Sequence, residues 1–152
     1  MASLFPETDD MVWSEVSETE MFAGDGAVFG RSWRFDYEAG EFVMSPTRKI
    51  AVVDEKEAWV IWCEKAIRTP RYHHLIYSRD YGSELSELIG EMNDRALQES
   101  EIQRMVTETL LADARTESVS QFLFTWEGEA CRFSCQITSV RDETEIIESV
   151  VI

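Results

Sequence analysis

The sequence predicts an α+β fold. Two helical patterns lie in the middle of the chain, three alternating patterns typical of strands close it, and short turns separate those strands. The chain has 152 residues, 44% of them hydrophobic, which suits one domain with a single core. The predicted order is an N-terminal hairpin, two main helices plus one short helix, and a C-terminal antiparallel three-stranded meander with an apolar terminal strand.

Two regions are predicted, an extended acidic N-terminal arm over residues 1–30 and a folded domain over residues 31–152. The acidic start lacks the basic and apolar segments of a signal peptide, so folding in a reducing cytoplasm is expected. Large apolar residues interrupt the acidic background, which is unusual for a disordered tail; they are Trp13, Met21, Phe22, Val28 and Phe29. The arm is therefore expected to pack against its own domain or against a neighbour.

The domain is predicted to begin with a hairpin, because aromatic residues alternate with polar ones on both sides of the turn EAGE. A first helix follows between Asp54 and Pro70, with Asp54 and Glu57 as a capping box. A second helix is predicted to start at Ser100, where Gln103 completes another capping box. Its apolar stripe comprises Ile102, Met105, Val106, Thr109 and Leu110.

The three C-terminal strands are predicted to pack one face onto the helices. Three cysteines are an odd number, and two of them lie four residues apart on one predicted strand, too distant for a bridge. All three are therefore predicted to be free and buried. The predicted inward residues of the first two strands are Phe122, Phe124, Trp126, Cys131, Phe133, Cys135 and Ile137.

The terminal strand, TEIIESVVI, has apolar residues on both faces. If it lies at a sheet edge, it is open to strand addition by a partner, because natural edges are usually protected by charge, proline or shortness. If it is inserted between earlier strands, both apolar faces are simply buried. The residue pattern leaves both arrangements open. The apolar residues concerned are Ile146, Ile147, Val150, Val151 and Ile152.

A histidine- and tyrosine-rich stretch, YHHLIYSRDYGSELSELIG, covers residues 72–90. Alternation over its first seven residues predicts a short strand, and RDYG predicts a turn in which Gly82 has a positive φ. Ser83 is predicted to cap a short helix, and Gly90 to end it. The stretch is therefore interpreted as architecture.

Charge and motifs disfavour most chemical functions. A net charge of −16 repels phosphate backbones and anionic lipids, so neither nucleic acid nor membrane is expected as a partner. His73 and His74 are adjacent and would point to opposite sides of a strand, which disfavours a shared metal ion. Hydrolase elbows and phosphate loops are absent from the sequence. No catalytic residue, metal site or cofactor is predicted, and the protein is expected not to be an enzyme.

Several segments resemble one family. TPRYHHLIYSRDYGSELSELIG, followed by LLADART and a meander, resembles the XkdS-like tail proteins of PBSX-type defective phages and related contractile-tailed phages. That group is similar to the baseplate wedge protein, or sheath initiator, of T-even-type phages. The similarity covers about residues 31–152, and LIYSRDYGSELSELIG is its most specific part. The residues of that block taken as a structural signature are Tyr77, Asp80, Tyr81, Gly82, Leu85 and Gly90.

The resemblance implies a structural role in the virion, at the tail baseplate, after assembly in the host bacterial cytoplasm. It implies other wedge proteins and the tail sheath protein as partners, with tail tube or hub proteins as further candidates. A Glu-Pro-Arg motif of the wider family, which contacts wedge-core helices, corresponds to Asp113-Ala114-Arg115, where the proline is missing. The terminal strand corresponds to the family strand that joins sheath subunits by strand exchange. The resemblance therefore favours an interface role for TEIIESVVI.

Two other functions remain as alternatives. Some relatives carry a lysozyme-like label, so a tail-associated peptidoglycan hydrolase is one alternative, which requires two facing carboxylates in a cleft. A small adaptor unrelated to contraction, such as a tail chaperone, is another.

Overall fold

A three-stranded antiparallel sheet packs one face against two helices in the computed structural model, which describes residues 26–88 and 94–151. Four short strands precede the first helix, and a 3-10 turn lies between the helices. The predicted α+β class is thereby confirmed. The elements are β1 (Arg31–Trp33), β2 (Phe35–Asp36), β3 (Glu41–Phe42), β4 (Val52–Asp54), α1 (Glu55–Arg68), the 3-10 turn (Leu85–Glu87), α2 (Arg95–Leu111), β5 (Thr116–Glu127), β6 (Ala130–Ser139) and β7 (Thr144–Val151).

The N-terminal strands form two small antiparallel pairs, β2 with β3 and β1 with β4. The first pair is the predicted hairpin, and Phe35 packs edge-on against Phe42 across it, with ring centroids 5.1 Å apart. The second pair was not predicted. It brings the chain back beside β1 immediately before α1 begins, so that the helix starts from a fixed point.

Helix α1 begins and ends near the predicted positions, but its capping box is wrong. Asp54 occupies the N-cap position without a side-chain capping bond. Its carboxylate instead binds Arg31 of β1 at 3.0 Å, and Glu57 binds Arg34, which directly follows β1. The two carboxylates that a capping box needs are therefore engaged in ion pairs. Thr69 has an extended backbone, as expected for a residue before proline, so the helix ends there.

Helix α2 starts six residues earlier than predicted, because Asp94 and not Ser100 caps it. The Asp94 carboxylate accepts a hydrogen bond from the Ala96 N–H at 3.0 Å. The Ser100–Gln103 box is therefore wrong, and both residues lie inside the helix. The predicted stripe is confirmed: Ile102, Val106, Thr109 and Leu110 are buried, and Met105 packs against the core.

The core lies between the helices and the inner face of the sheet. Trp59 of α1 is fully buried and donates its indole N–H to the Thr116 hydroxyl at 3.0 Å. All three cysteines are free and buried, as predicted, and burial raises the pKa of the Cys63 and Cys135 thiols to about 12. The inward pattern of β6 is confirmed, since Cys131, Phe133, Cys135 and Ile137 are all buried, while Phe122, Phe124 and Trp126 of β5 pack partly buried against them.

The stretch after α1 is a loop and not the predicted strand. Residues 72–80 form turns and bends, and none of the described strands pairs with them. Ser83 does not cap a helix either, because its hydroxyl donates to the Ile67 carbonyl at 2.6 Å. The predicted short helix is reduced to the 3-10 turn. Gly82 has a φ of +98°, as predicted, whereas Gly90 lies outside the described residues.

The sheet order is β5-β6-β7, which puts the terminal strand at an edge. The alternative of a central strand is therefore wrong. Most of the predicted arm, residues 1–25, lies outside the described part of the chain. Phe29, near the end of that arm, is 2% exposed and belongs to the core. None of the described helices is long and apolar enough to cross a bilayer.

Candidate functional site: the open edge of the C-terminal sheet

Among the described residues, the backbone of β7 is paired on one side only, with β6. The Ser139 N–H donates to the Glu143 carbonyl at 2.8 Å, which marks this pair as hydrogen-bonded where the β6–β7 turn begins. In an antiparallel ladder such pairs alternate with pairs that exchange no hydrogen bonds. Ile146 and Glu148 belong to the second kind. Their N–H and C=O groups therefore point away from β6, to the open edge.

The same alternation divides the side chains. Ile147 is 1% exposed and packs in the core, whereas Ile146 on the other face is 65% exposed. Val150 is also exposed, and Val151 is partly buried against the core. Ile152 lies outside the described residues. The residues whose amides point to the open edge are thus the same ones whose apolar side chains are exposed on the outer face of the sheet. An added strand would contact both the amides and these side chains.

Strand β7 is held firmly against the domain. Ile147 packs into the core, and Lys56 of α1 forms an ion pair with Glu145 at 2.7 Å. Arg141 in the β6–β7 turn binds Glu55 at the start of α1. Side-chain packing and ion pairs therefore fix the strand in position and leave its outer backbone edge unused by the described residues. The Lys56 and Glu55 contacts were not predicted, because nothing in the sequence pairs the start of α1 with residues 89 and 86 positions later in the chain.

Asp113 and Arg115, the residues that match the family motif, bind each other inside the protein. The Arg115 guanidinium forms hydrogen bonds of 2.6 to 3.1 Å with both Asp113 carboxylate oxygens. Its Nη1 donates to the Phe29 carbonyl at 2.8 Å, and its Cζ lies 5.7 Å from the Trp62 ring centroid. The side chains of Arg115 and Asp113 are only 14% and 10% exposed.

The Asp113–Arg115 pair therefore has a structural role within the protein, which the spacing of the motif did not predict. It ties the end of α2 to the segment containing Phe29, just where the arm joins the domain. A partner at this position would contact the exposed remainder of a side chain that already has several hydrogen-bond partners. Phe29 is one of the apolar arm residues that were expected to pack against the domain or a neighbour, and it packs in the core of its own domain.

The signature block is held together by Arg71 and Gly82. The Arg71 N–H donates to the Ser83 carbonyl and the Ser83 N–H to the Thr69 carbonyl, both at 2.9 Å. The buried Arg71 guanidinium donates to the Gly82 carbonyl at 3.1 Å and to Glu108 of α2 at 2.9 Å. The loop therefore closes at its base against both helices. Leu85 of the block is buried in the core, and Asp80 is exposed in the loop.

The tyrosines of the block pack along α1. Tyr77 and Tyr81 have ring centroids 4.6 Å apart, and Tyr81 also packs edge-on against Trp62 at 5.6 Å. Burial raises the pKa of Tyr81 to about 12, so its phenol stays neutral over the physiological pH range. The Lys65 ammonium lies 5.1 Å from the Tyr77 ring centroid. The signature thus stabilises a projecting loop.

Replacing Gly82 by alanine is expected to lower the free energy of unfolding by about 3 kcal/mol. An added Cβ would lie 2.7 Å from the Thr69 carbonyl oxygen, and the φ of +98° disfavours any side chain. Gly40→Ala is the matched control, because Gly40 also has a positive φ but open space around it, and it should cost about 1 kcal/mol. Denaturant unfolding of both variants measures the difference. Equal losses would show that the close approach at Gly82 is unimportant.

The described residues contain no group of three or more histidine, cysteine or acidic side chains arranged to hold a metal ion. His73 and His74 lie exposed in the loop. The candidate site that the geometry of the described residues favours is the open edge of β7.

The comparisons agree with an assembly role. A family model described as "Contractile injection system sheath initiator" matches residues 31–144. The chain is also 27% identical over 152 residues to the phage-like element PBSX protein XkdS of Bacillus subtilis (strain 168), covering 97% of this chain and 96% of that protein. The expected resemblance is thereby confirmed, and with it a structural role in a contractile tail. The chain belongs to the contractile injection system sheath initiator family.

Proposed function

We propose that this protein is a baseplate wedge component that links the baseplate of a contractile tail to the first sheath ring. Sheath assembly starts when a strand of the sheath protein pairs with the open edge of β7. The observation that carries the proposal is this edge. Its outer amides are unused by the described residues, and Ile146 stands exposed beside them.

Backbone hydrogen bonds would provide the affinity for an added strand, and side-chain contacts would determine its alignment along β7. An added strand would gain hydrogen bonds from the outward N–H and C=O groups of Ile146 and Glu148. The exposed side chains of Ile146 and Val150 would contact alternate residues of the added strand, which favours one alignment over its neighbours. Because β7 is already ordered, the sheath segment alone loses conformational freedom on pairing.

The contacts between the arm and the domain suit a protein that is anchored to the baseplate through its arm. The Asp113–Arg115 pair and Phe29 join the arm to the domain, so a baseplate protein that holds the arm would also hold the sheet. Wedge proteins are the proposed partners on this side, with tail tube or hub proteins as neighbours. The proposed location is the tail baseplate of the virion, after assembly in the host cytoplasm. No catalytic step is part of this role.

A cryo-EM map of the extended particle tests the proposal directly. The expected result is density for this chain at the top of the baseplate, with a sheath strand antiparallel or parallel to residues 144–151. A map with the chain in the baseplate but with no strand beside β7 would reject the pairing mechanism. A map of complete tails without the chain would reject the function itself.

A further inference from the structure

We propose that the loop after α1 is a second docking surface, which binds an acidic segment of a neighbouring tail protein through apolar side chains of that segment. The proposal rests on the proposed function, since it assumes a place in the tail. The surface, called the loop surface below, consists of Leu75, Ile76 and Tyr77 together with Trp62 and Lys65 of α1. It is separate from the edge of β7.

The tip of the loop displays apolar groups that nothing in the described chain covers. Leu75 is 103% exposed and Ile76 is 88% exposed, while Tyr72 is 63% exposed. A single exposed aliphatic residue is ordinary on a protein surface, whereas adjacent exposed groups beside an aromatic groove favour a binding site. The loop surface thus has the apolar component of a protein interface.

The loop is also held in one shape. Arg71 and Gly82 close its base, and within it the Tyr77 N–H donates to the His74 carbonyl at 3.2 Å. Tyr77 packs on Tyr81 and edge-on against His74, with ring centroids 6.0 Å apart in the second pair. A surface that is already ordered loses little conformational entropy on binding, which is typical of residues that dominate an interface.

A groove of about 350 Å³ runs between the loop and α1. Trp62, Tyr77 and Tyr81 give it an aromatic lining, and Ile76 of the loop forms one wall. None of the described residues that line the groove has a carboxylate, although the chain as a whole has a net charge of −16. The groove is thus a local exception on an acidic protein.

The charges around the groove favour an acidic partner. Lys65 points its ammonium over Tyr77 and has no ion pair among the described residues. Arg79 and Asp80 are both exposed in the same loop, so the charge match rests on Lys65. A segment that places apolar side chains in the groove and carboxylates near Lys65 would match both properties. A basic segment would lack any charge partner along the lining.

The N-terminal arm is the competing occupant. Its first 25 residues contain seven acids and no base, and they include Trp13, Met21 and Phe22. Arg31, close to the end of the arm, lines the groove. We favour a neighbouring protein because the family model matches residues 31–144, a range that includes every described residue lining the groove, whereas residues 1–25 lie outside it. The experiment below separates the two occupants.

The test places a photo-crosslinking phenylalanine derivative, p-benzoylphenylalanine, at position 76 of the full chain in assembled tails. Mass spectrometry then locates the crosslinked peptide. The expected product joins position 76 to a segment of another tail protein in which acids outnumber bases. A product confined to residues 1–25 of this chain, a basic segment, or no protein product would overturn the proposal.

A pair of variants tests the energetic role. Leu75→Asp combined with Ile76→Asp should leave thermal unfolding unchanged but reduce incorporation into purified tails at least about tenfold. Leu123→Asp is the control, since Leu123 is 70% exposed on the outer face of the sheet. It should enter tails normally. Normal incorporation of the loop variant would overturn this inference alone, whereas absence of the unmodified chain from tails would reject the proposed function.

Discussion

A Glu148→Pro variant is expected to fold and to enter the baseplate but to fail to start the sheath. The Glu148 N–H points to the open edge of β7, so proline there removes no hydrogen bond of the β6–β7 ladder. It does remove a donor from the edge and places its ring where an added strand would lie. The expected loss of unfolding free energy is less than about 2 kcal/mol.

Two controls make this result specific. Glu148→Ala removes the carboxylate but keeps the N–H, so sheaths should form normally. Ile147→Pro should disrupt folding, because Ile147 is buried and belongs to a hydrogen-bonded pair of the ladder. Deleting residues 144–152 is a poorer test, since it also removes Ile147 from the core. Electron microscopy of purified tails measures sheath formation, and full-length sheaths on Glu148→Pro particles would refute strand pairing at this edge.

Arg115→Ala is expected to lower the free energy of unfolding by about 3 kcal/mol. Removing the guanidinium leaves the Asp113 carboxylate, 10% exposed, without its ion-pair partner. It also removes the hydrogen bond to the Phe29 carbonyl and the contact with Trp62. Arg115→Lys should recover only part of the loss, because an ammonium cannot reproduce these directed contacts. Chemical denaturation measures both.

The control for Arg115 is Arg132→Ala. Arg132 lies on the exposed outer face of β6, and its replacement should change the unfolding free energy by less than about 0.5 kcal/mol. A similarly small effect for Arg115→Ala would show that the buried pair is dispensable. Tails assembled with a folded Arg115→Ala protein would also show whether the residue contacts a partner in addition to its internal role.

Elements with a strong period were predictable from the sequence. The alternation in β6 and the stripe in α2 identify buried faces because each repeat matches the geometry of its element. The helix starts were less predictable. Asp54 satisfies the pattern of a capping residue, but Arg31 is brought beside it by a strand pair, and that long-range contact determines where its carboxylate binds.

The loop was mispredicted for a related reason. Alternation in YHHLIYS is compatible with a strand, but a strand needs a neighbour, and here Arg71 and Ser83 bring the two ends of the segment together. The candidate site was partly predictable, since the two apolar faces of the terminal strand left an edge position and a central position open, and the structure puts the strand at an edge. Sequence spacing does not specify side-chain orientation, so the contact between Asp113 and Arg115 could not be predicted.

The two faces of β7 are nearly the same in composition. The inner face has Glu145, Ile147, Ser149 and Val151, and the outer face has Thr144, Ile146, Glu148 and Val150. A shift by one residue would therefore exchange isoleucine for isoleucine and valine for valine at little hydrophobic cost. What prevents that shift is the turn before the strand, where Asp142 has a left-handed backbone and the Ser139 hydroxyl accepts from two turn N–H groups. The alignment of the open edge of β7 therefore depends on four turn residues, Val140 to Glu143, that neither enter the core nor belong to the edge itself.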